Sequence, residues 1–284
     1  MGQKIPPQKA LFFATAQAVA GFRRQAVPLA EEITPGSPKS FRMKALVLHG
    51  FTGSLDTVSI LKPALEARGL EVSIPILRGH SAEPEHLNSV HWRDWVADGR
   101  AALRRLAPND DDRVVIAGLS MGALIGCQLA AEFPHQVHRL ALLAPAFAFR
   151  SKLLHALPVI KRVRRDWPAS PDYADPSLAA ANTNYLSFPI EALESVLHYV
   201  PVVESLLPHI QCPVGVFFAK KDPAIAPSVP KRIEALLGRD KVTHFLYEQS
   251  HHEILQDIEA EKVAADVVNY LCAAGPPSLK CSGA

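Results

Sequence analysis

Residues 112–126 read DRVVIAGLSMGALIG, and the reading of the fold starts there. Val114 to Ala117 form a continuous apolar run rich in β-branched residues, the pattern of a strand buried on both faces of a sheet. Gly118-Leu119-Ser120-Met121-Gly122 follows, and then small and apolar residues of helical character. G-x-S-x-G between a strand and a helix marks a sharp turn that lifts a serine to the end of a sheet. Such a turn crowds the residues two before and two after the serine, and glycine at 118 and 122 removes the side chains that would collide. Gly126, one helical turn on, lets the helix lie close to the strand. The helix aims its free N–H groups and positive dipole end at the serine, where an oxyanion would form. Five loosely specified residues recur by chance in glycine-rich loops. The strand before and the helix after are what separate this copy from an accident.

Working outward, the same rhythm recurs. Residues 45–48 read as a buried strand that runs into His49-Gly50-Phe51-Thr52-Gly53. Asp56 is expected to cap a helix that ends at Arg68 with Gly69 as its stop. Residues 72–77 give a strand broken by Pro75, short or near an edge, and 78–88 a polar loop. Residues 92–107 carry apolar side chains at helical spacing. The helix after Ser120 is expected to run to about Phe133, followed by a strand at 137–143. Further on come a strand at 213–219, a helix at 229–237, a strand at 242–247 and a closing helix at 260–272. Alternating strands and helices with short joints predict βαβ units: an α/β fold with a mostly parallel sheet flanked by helices.

The rhythm breaks at residues 146–208, where prolines at 158, 168, 171, 176, 189 and 201 separate short helical patches such as 190–199 and a basic cluster at 161–165. This segment reads as a helical cap inserted over the sheet. The resulting division is an N-terminal extension and linker (1–43), a first core part (44–145), the cap insertion (146–208), a second core part (209–273) and a tail (274–284). Residues 10–22 are apolar, with Thr15 and Gln17 interrupting and Pro6-Pro7 in front, which favours an amphipathic helix over a signal peptide. Residues 33–40 are a turn-rich linker.

Composition narrows the function. With 284 residues and 48% hydrophobic residues the chain can bury a large core. A formal net charge of +2 gives no reason to expect a nucleic-acid partner. Four scattered cysteines with no C-x-x-C suit a reducing, cytoplasmic setting. No apolar run reaches the length of a membrane span, and no histidine pair has metal-ligand spacing.

A serine hydroxyl needs a base to take its proton, and the base needs a group that orients it. In an open parallel sheet the reactive groups sit at the carboxyl ends of the strands. Asp222 follows the strand at 213–219, and His251 and His252 follow the strand at 242–247, giving the chain order Ser, Asp, His. Asp257 lies past the histidines, in an expected helix. His49 reads as a loop residue that steadies its own turn, His80 as part of a solvated loop, and His198 and His209 as members of the insertion.

With these residues in view, the chain resembles the α/β-hydrolase superfamily, and is similar to bacterial carboxylesterases and monoacylglycerol lipases, over about residues 44–271. The resemblance rests on Leu48-His49-Gly50-Phe51-Thr52-Gly53, Gly118–Gly122, Asp222 and Tyr247-Glu248-Gln249-Ser250-His251-His252. It implies that His252 stands where the family's Ser-Gly-His triplet carries the base, with His251 in place of the glycine. It also implies oxyanion donors at the N–H groups of Phe51 and Met121, and an Arg78-Gly79-His80 loop near the site. The expected activity is hydrolysis of short-to-medium-chain carboxylic esters through an acyl-enzyme on Ser120, with no metal or cofactor. The partner would be a small ester or lipid substrate, and the basic insertion could touch an anionic membrane surface. Monoacylglycerol lipase or lysophospholipase is the alternative, and a non-catalytic ligand-binding homologue the more distant one. Apolar residues of the insertion, Phe147, Phe149, Leu153, Leu154, Leu157, Val159, Ile160, Leu193, Val196, Leu197, Val200, Val202 and Val203, are expected in part to line an acyl pocket. A histidine base would place the rise of activity around pH 6–7.5.

Overall fold

The computed structural model describes residues 43–80, 83–170 and 172–273. The expected helix at 10–22, the linker at 33–40 and the tail at 274–284 lie outside the described residues.

In chain order the elements are β1 (Lys44–Leu48), α1 (Leu61–Glu66), β2 (Glu71–Ser73), α2 (Trp92–Leu106), β3 (Val114–Leu119), α3 (Met121–Glu132) and β4 (Val137–Leu143). Then follow α4 (Leu157–Ile160), β5 (Asp166–Pro168), β6 (Ser187–Pro189), α5 (Ile190–Leu206), β7 (Val214–Ala219), α6 (Val229–Leu237), β8 (Val242–Tyr247) and α7 (Ala260–Leu271). Six strands form one sheet in the order β2-β1-β3-β4-β7-β8, every neighbouring pair parallel. β5 and β6 form a separate antiparallel pair. The chain steps outward from β1 to β2, returns past β1 to β3, and then proceeds outward to β8. The strand order therefore reverses between β1 and β3, and a crevice opens outside their carboxyl ends.

The core follows from the two-residue period of the strands. Leu46, Leu48, Val114, Ile116, Leu140, Leu142, Val214 and Val216 face one side, against α2, α3, α5 and α6. Ala45, Val47, Val115, Ala117, Ala141, Leu143, Phe217 and Ala219 face the other, against α1 and α7. Every residue of β3 is buried, as its unbroken apolar run requires. β8 at the edge alternates half-buried and exposed positions between its buried ends, Val242 and Tyr247. No helix among the described residues is long and apolar enough to cross a membrane.

Three elements differ from the sequence expectation. The helix expected from Asp56 opens instead with a 3₁₀ turn, Leu55–Val58, capped by Ser54 ahead of it, whose hydroxyl accepts the Asp56 N–H at 3.1 Å. Pro63 has no N–H for the Ser59 carbonyl, which Lys62 takes at 3.0 Å in i→i−3 geometry, so regular helix is confined to Leu61–Glu66. The strand expected at 72–77 stops at Ser73, and the Leu77 N–H turns away to His49 Nε2 at 3.1 Å. The patch at 190–199 is the first half of a 17-residue helix that continues through Pro201. Proline costs that helix a hydrogen bond, but burial of Val196, Tyr199, Val200 and Val203 holds it together.

Candidate active site

Ser120 sits between β3 and α3 with φ 52° and ψ −110°, a conformation unfavourable for a residue bearing a Cβ. Strain of this kind costs on the order of 1–3 kcal/mol and persists only where the surroundings enforce it. Here they do. The Ser120 N–H donates to the Leu143 carbonyl at 2.8 Å, tying the turn to the end of β4. A Cβ at position 118 would lie 2.3 Å from the Gly122 carbonyl oxygen, and one at 122 would lie 2.4 Å from the Leu48 oxygen. Both glycines are therefore required by close approach of backbone to backbone, as the motif implied.

The parallel sheet brings the carboxyl ends of β3, β7 and β8 to one edge, and there the three expected side chains meet. His252 Nε2 lies 3.1 Å from Ser120 Oγ. His252 Nδ1 lies 2.8 Å from Asp222 Oδ2. A carboxylate can only accept, so Nδ1 carries the proton and Nε2 is left as the acceptor of the serine hydroxyl. Asp222 is fully buried, and its Oδ1 accepts the N–H groups of Ala224 at 2.8 Å and Ile225 at 2.9 Å. Burial works to raise the Asp222 pKa, but His252 and these two N–H groups outweigh it and hold the carboxyl below its ordinary value. For His252 burial works downward. The charge and hydrogen bond of Asp222, with smaller contributions from Glu253 and Asp172, reverse the sign and raise its pKa.

His251 points elsewhere, its Nδ1 2.7 Å from Asp172. It replaces a glycine of the family triplet without left-handed backbone, since it is not among the residues of positive φ. Its N–H donates to Asp257 Oδ2 at 2.6 Å. Asp257 also accepts the Ala174 N–H at 3.0 Å, and it lies in a turn ahead of α7 rather than in the helix expected for it. It holds backbone and does not reach His252.

The loop after β1 packs beside the serine. A Cβ on Gly50 would lie 3.3 Å from Ser120 Cβ, so Phe51 follows directly at the site's edge. Met121 is the first residue of α3, and its N–H has no carbonyl within its own helix to serve. His49 bridges its own loop, Nδ1 2.9 Å from the Gly50 carbonyl and Nε2 accepting from Leu77, as a turn-steadying residue should. His80 departs from expectation: it is 3% exposed, not solvated, within an aromatic cluster of His49, Phe51, Trp95 and Tyr185. Burial, and then His49 beside it, lower its pKa to about 3, so it stays neutral. His198 and His209 are exposed and far along the insertion.

Ser120, Phe51 and His252 open into a cavity of about 350 Å³. Part of its wall comes from the segment between β4 and β7, through Ala169, Ser170, Asp172, Asn182, Asn184 and Tyr185. This corrects the expected apolar pocket, because none of the thirteen apolar residues proposed for it lines the cavity. Phe147, Leu157, Leu193, Val196, Val200 and Val203 are buried with α3 in the main core, and Leu153 and Val159 face solvent. The cause lies in α3, whose buried residues cover nearly its whole circumference, so that α5 must supply an apolar outer cover. Glu253, Asn184 and Asp172 went unnoticed in the sequence. Only the position of Glu253 next to His252 could have signalled it.

Comparison with known proteins agrees with this fold. The carboxylesterase of Bacillus subtilis (strain 168) is 24% identical over 242 residues, covering 83% of this chain and 96% of that protein. The thermostable monoacylglycerol lipase of Bacillus sp. (strain H-257) is 32% identical over a shorter stretch of 92 residues, covering 31% of this chain and 35% of that protein. A solved structure from the metagenome-derived lipolytic pair LipS and LipT superposes with a TM-score of 0.75 at 26% identity, covering 81% of this chain and 93% of that one. The model of the family Hydrolase_4, described as "Serine aminopeptidase, S33", matches residues 40–259, and the chain belongs to this α/β-hydrolase family of serine hydrolases, which includes esterases and lipases.

Proposed function

We propose that the protein is a carboxylesterase that hydrolyses short-to-medium-chain esters through an acyl-enzyme on Ser120. The observation that carries this reading is the unbroken relay from Ser120 Oγ to His252 (3.1 Å) to the buried Asp222 (2.8 Å). His252 takes the serine proton as Ser120 attacks the ester carbonyl. The N–H groups of Phe51 and Met121 receive the oxyanion. His252 then protonates the departing alcohol, and later activates the water that cleaves the acyl-enzyme. Asp222 fixes the tautomer and stabilises the imidazolium. A fluorophosphonate probe should label Ser120 in the native protein, with the adduct located by peptide mass spectrometry. Absence of labelling in folded protein would remove the serine-esterase reading in favour of a non-catalytic ligand-binding role.

The acyl-length profile tests the finer assignment. A methylene fully buried in an apolar pocket contributes about 0.8 kcal/mol, or roughly fourfold in kcat/KM. The cavity wall mixes Phe51, Leu119 and Pro223 with Asn182, Asn184 and Glu253, so the climb should be shallower than that. We expect kcat/KM for p-nitrophenyl esters to rise from acetyl to about butyryl and level off before decanoyl. The polar residues within the wall and the resemblance to a monoacylglycerol lipase favour a second reading, hydrolysis of monoacylglycerols. A steep preference for long-chain monoacylglycerol over these esters would replace the first reading by the second.

The pH profile follows from His252. It must be neutral to act as base, and its pKa is raised, so activity should be lost below that raised value and recovered as pH climbs through it. The acid limb of kcat/KM should therefore have its midpoint above the ordinary histidine value of about 6.5. This moves the expectation to the upper part of the range a histidine alone would suggest, or beyond it. A midpoint at or below about 6 would contradict the Asp222–His252 coupling.

A further inference from the structure

The wall of the cavity beside His252 is built of acceptors. Glu253 follows the base directly and lines the cavity. One of its oxygens, Oε1, accepts Asn184 Nδ2 at 2.8 Å, and the other, Oε2, is buried with no hydrogen-bond partner among the described residues. Asn184 Oδ1 is likewise buried without a partner. Asn184 is held in place by Asn182, whose Nδ2 donates to the Asn184 carbonyl at 3.0 Å. Asp172 adds a second carboxylate to the wall, paired with His251, and among the described residues no lysine or arginine lines the cavity.

Two buried acceptors without donors are costly, and a native protein keeps such groups where a ligand or water satisfies them. Burial, the largest influence on Glu253, raises its pKa, which is the mark of a carboxyl short of compensating donors. Its location assigns it to one side of the reaction. The base that deprotonates the serine later hands that proton to the leaving oxygen, so the alcohol half of the ester lies against His252 and hence beside Glu253.

We propose that Glu253 and Asn184 form a subsite that binds a protonated amine on the alcohol half of the ester, making esters of amino alcohols the preferred substrate class. The subsite rests on the serine-esterase reading for the orientation of the ester. A cation there favours the charged form of Glu253, has Asp172 on the same wall, and meets no lysine or arginine among the described residues, while His252 beside it is neutral when it acts as base. An anionic alcohol group is rejected for the same reason. Glu253 acts here by touching the substrate, with no part in the proton relay.

The test compares 3-(dimethylamino)propyl butyrate with its neutral isostere 4-methylpentyl butyrate and with 3-hydroxypropyl butyrate, at pH 7, where the tertiary amine is protonated and free of acyl migration. The native enzyme should favour the amine over the isostere in kcat/KM by roughly tenfold or more, the scale of a hydrogen bond to a charged group. In Glu253→Gln that ratio should fall to near one, whatever common factor changes both rates. A ratio near or below one in the native enzyme overturns the proposal, as does a preference for the hydroxyl ester over the amine. Equilibrium binding of the same three compounds to Ser120→Ala separates this proposal from the esterase reading. If the native protein hydrolyses none of them yet Ser120→Ala binds the amine at least tenfold more tightly than the isostere, the subsite stands and the esterase reading falls. Equal binding of the three compounds removes the subsite even where hydrolysis is observed.

Discussion

Ser120→Ala should lower kcat for p-nitrophenyl butyrate by a factor on the order of 10⁴–10⁶, with the fold unchanged. The size of the loss follows from the relay. Without Oγ there is nothing for His252 to activate, and what remains is the residual help of the two N–H donors and of binding. The fold should survive because the substitution removes one oxygen whose sole hydrogen bond among the described residues is to His252 Nε2. The strained backbone at φ 52° is enforced by the Leu143 carbonyl and the two flanking glycines, and alanine carries the same Cβ that serine does. We expect the circular dichroism spectrum to superpose on that of the native protein and the melting temperature to stay within about 3 °C. Turnover within tenfold of native, in protein shown by mass spectrometry to be free of native enzyme, would end the serine-hydrolase proposal. A large fall in melting temperature would instead mean that the hydroxyl is structural.

The sheet was readable because its strands obey simple rules. Val114 to Ala117 is apolar on both faces and buried on both faces, and the alternation of Leu46 and Val47, or Leu142 and Leu143, between the two cores is the period of a strand. The chemical residues were readable because a parallel sheet puts its strand ends at one edge, so chain order alone places Ser120, Asp222 and His252 there. The segment between β4 and β7 resisted the same treatment. Its apolar residues look alike in sequence whether they face a pocket or a helix, and only the all-round burial of α3 decides that α5 takes them. What this segment gives the cavity wall includes polar residues, Asn182, Asn184 and Asp172, on stretches with no period to read. His80 shows the same limit in one residue. A polar loop is a fair expectation for Arg78-Gly79-His80, yet Tyr185 arrives from more than a hundred positions away, its hydroxyl donating to the Gly79 carbonyl at 3.0 Å, and covers the ring.

The choice between adjacent histidines carries the second large effect. His252→Ala should lower kcat by on the order of 10⁴ or more, while His251→Gly should keep it within about tenfold of native. The two side chains leave the same loop in different directions. His252 spans Ser120 and Asp222, whereas His251 reaches Asp172 on the insertion. The His251–Asp172 pair is partly exposed, with side chains 24% and 49% accessible, so its loss should cost less than about 1 kcal/mol. The insertion keeps other ties to this loop in the variant: the Ala174 N–H to Asp257 at 3.0 Å and Asn184 to Glu253 at 2.8 Å. The His251 N–H to Asp257 bond at 2.6 Å involves backbone and survives the substitution, so the position of His252 should survive with it. Any change in His251→Gly should then appear in KM, through Asp172 at the cavity wall, more than in kcat. The opposite pattern, activity kept in His252→Ala and lost in His251→Gly, would shift the base by one residue and break the relay on which the proposed mechanism stands.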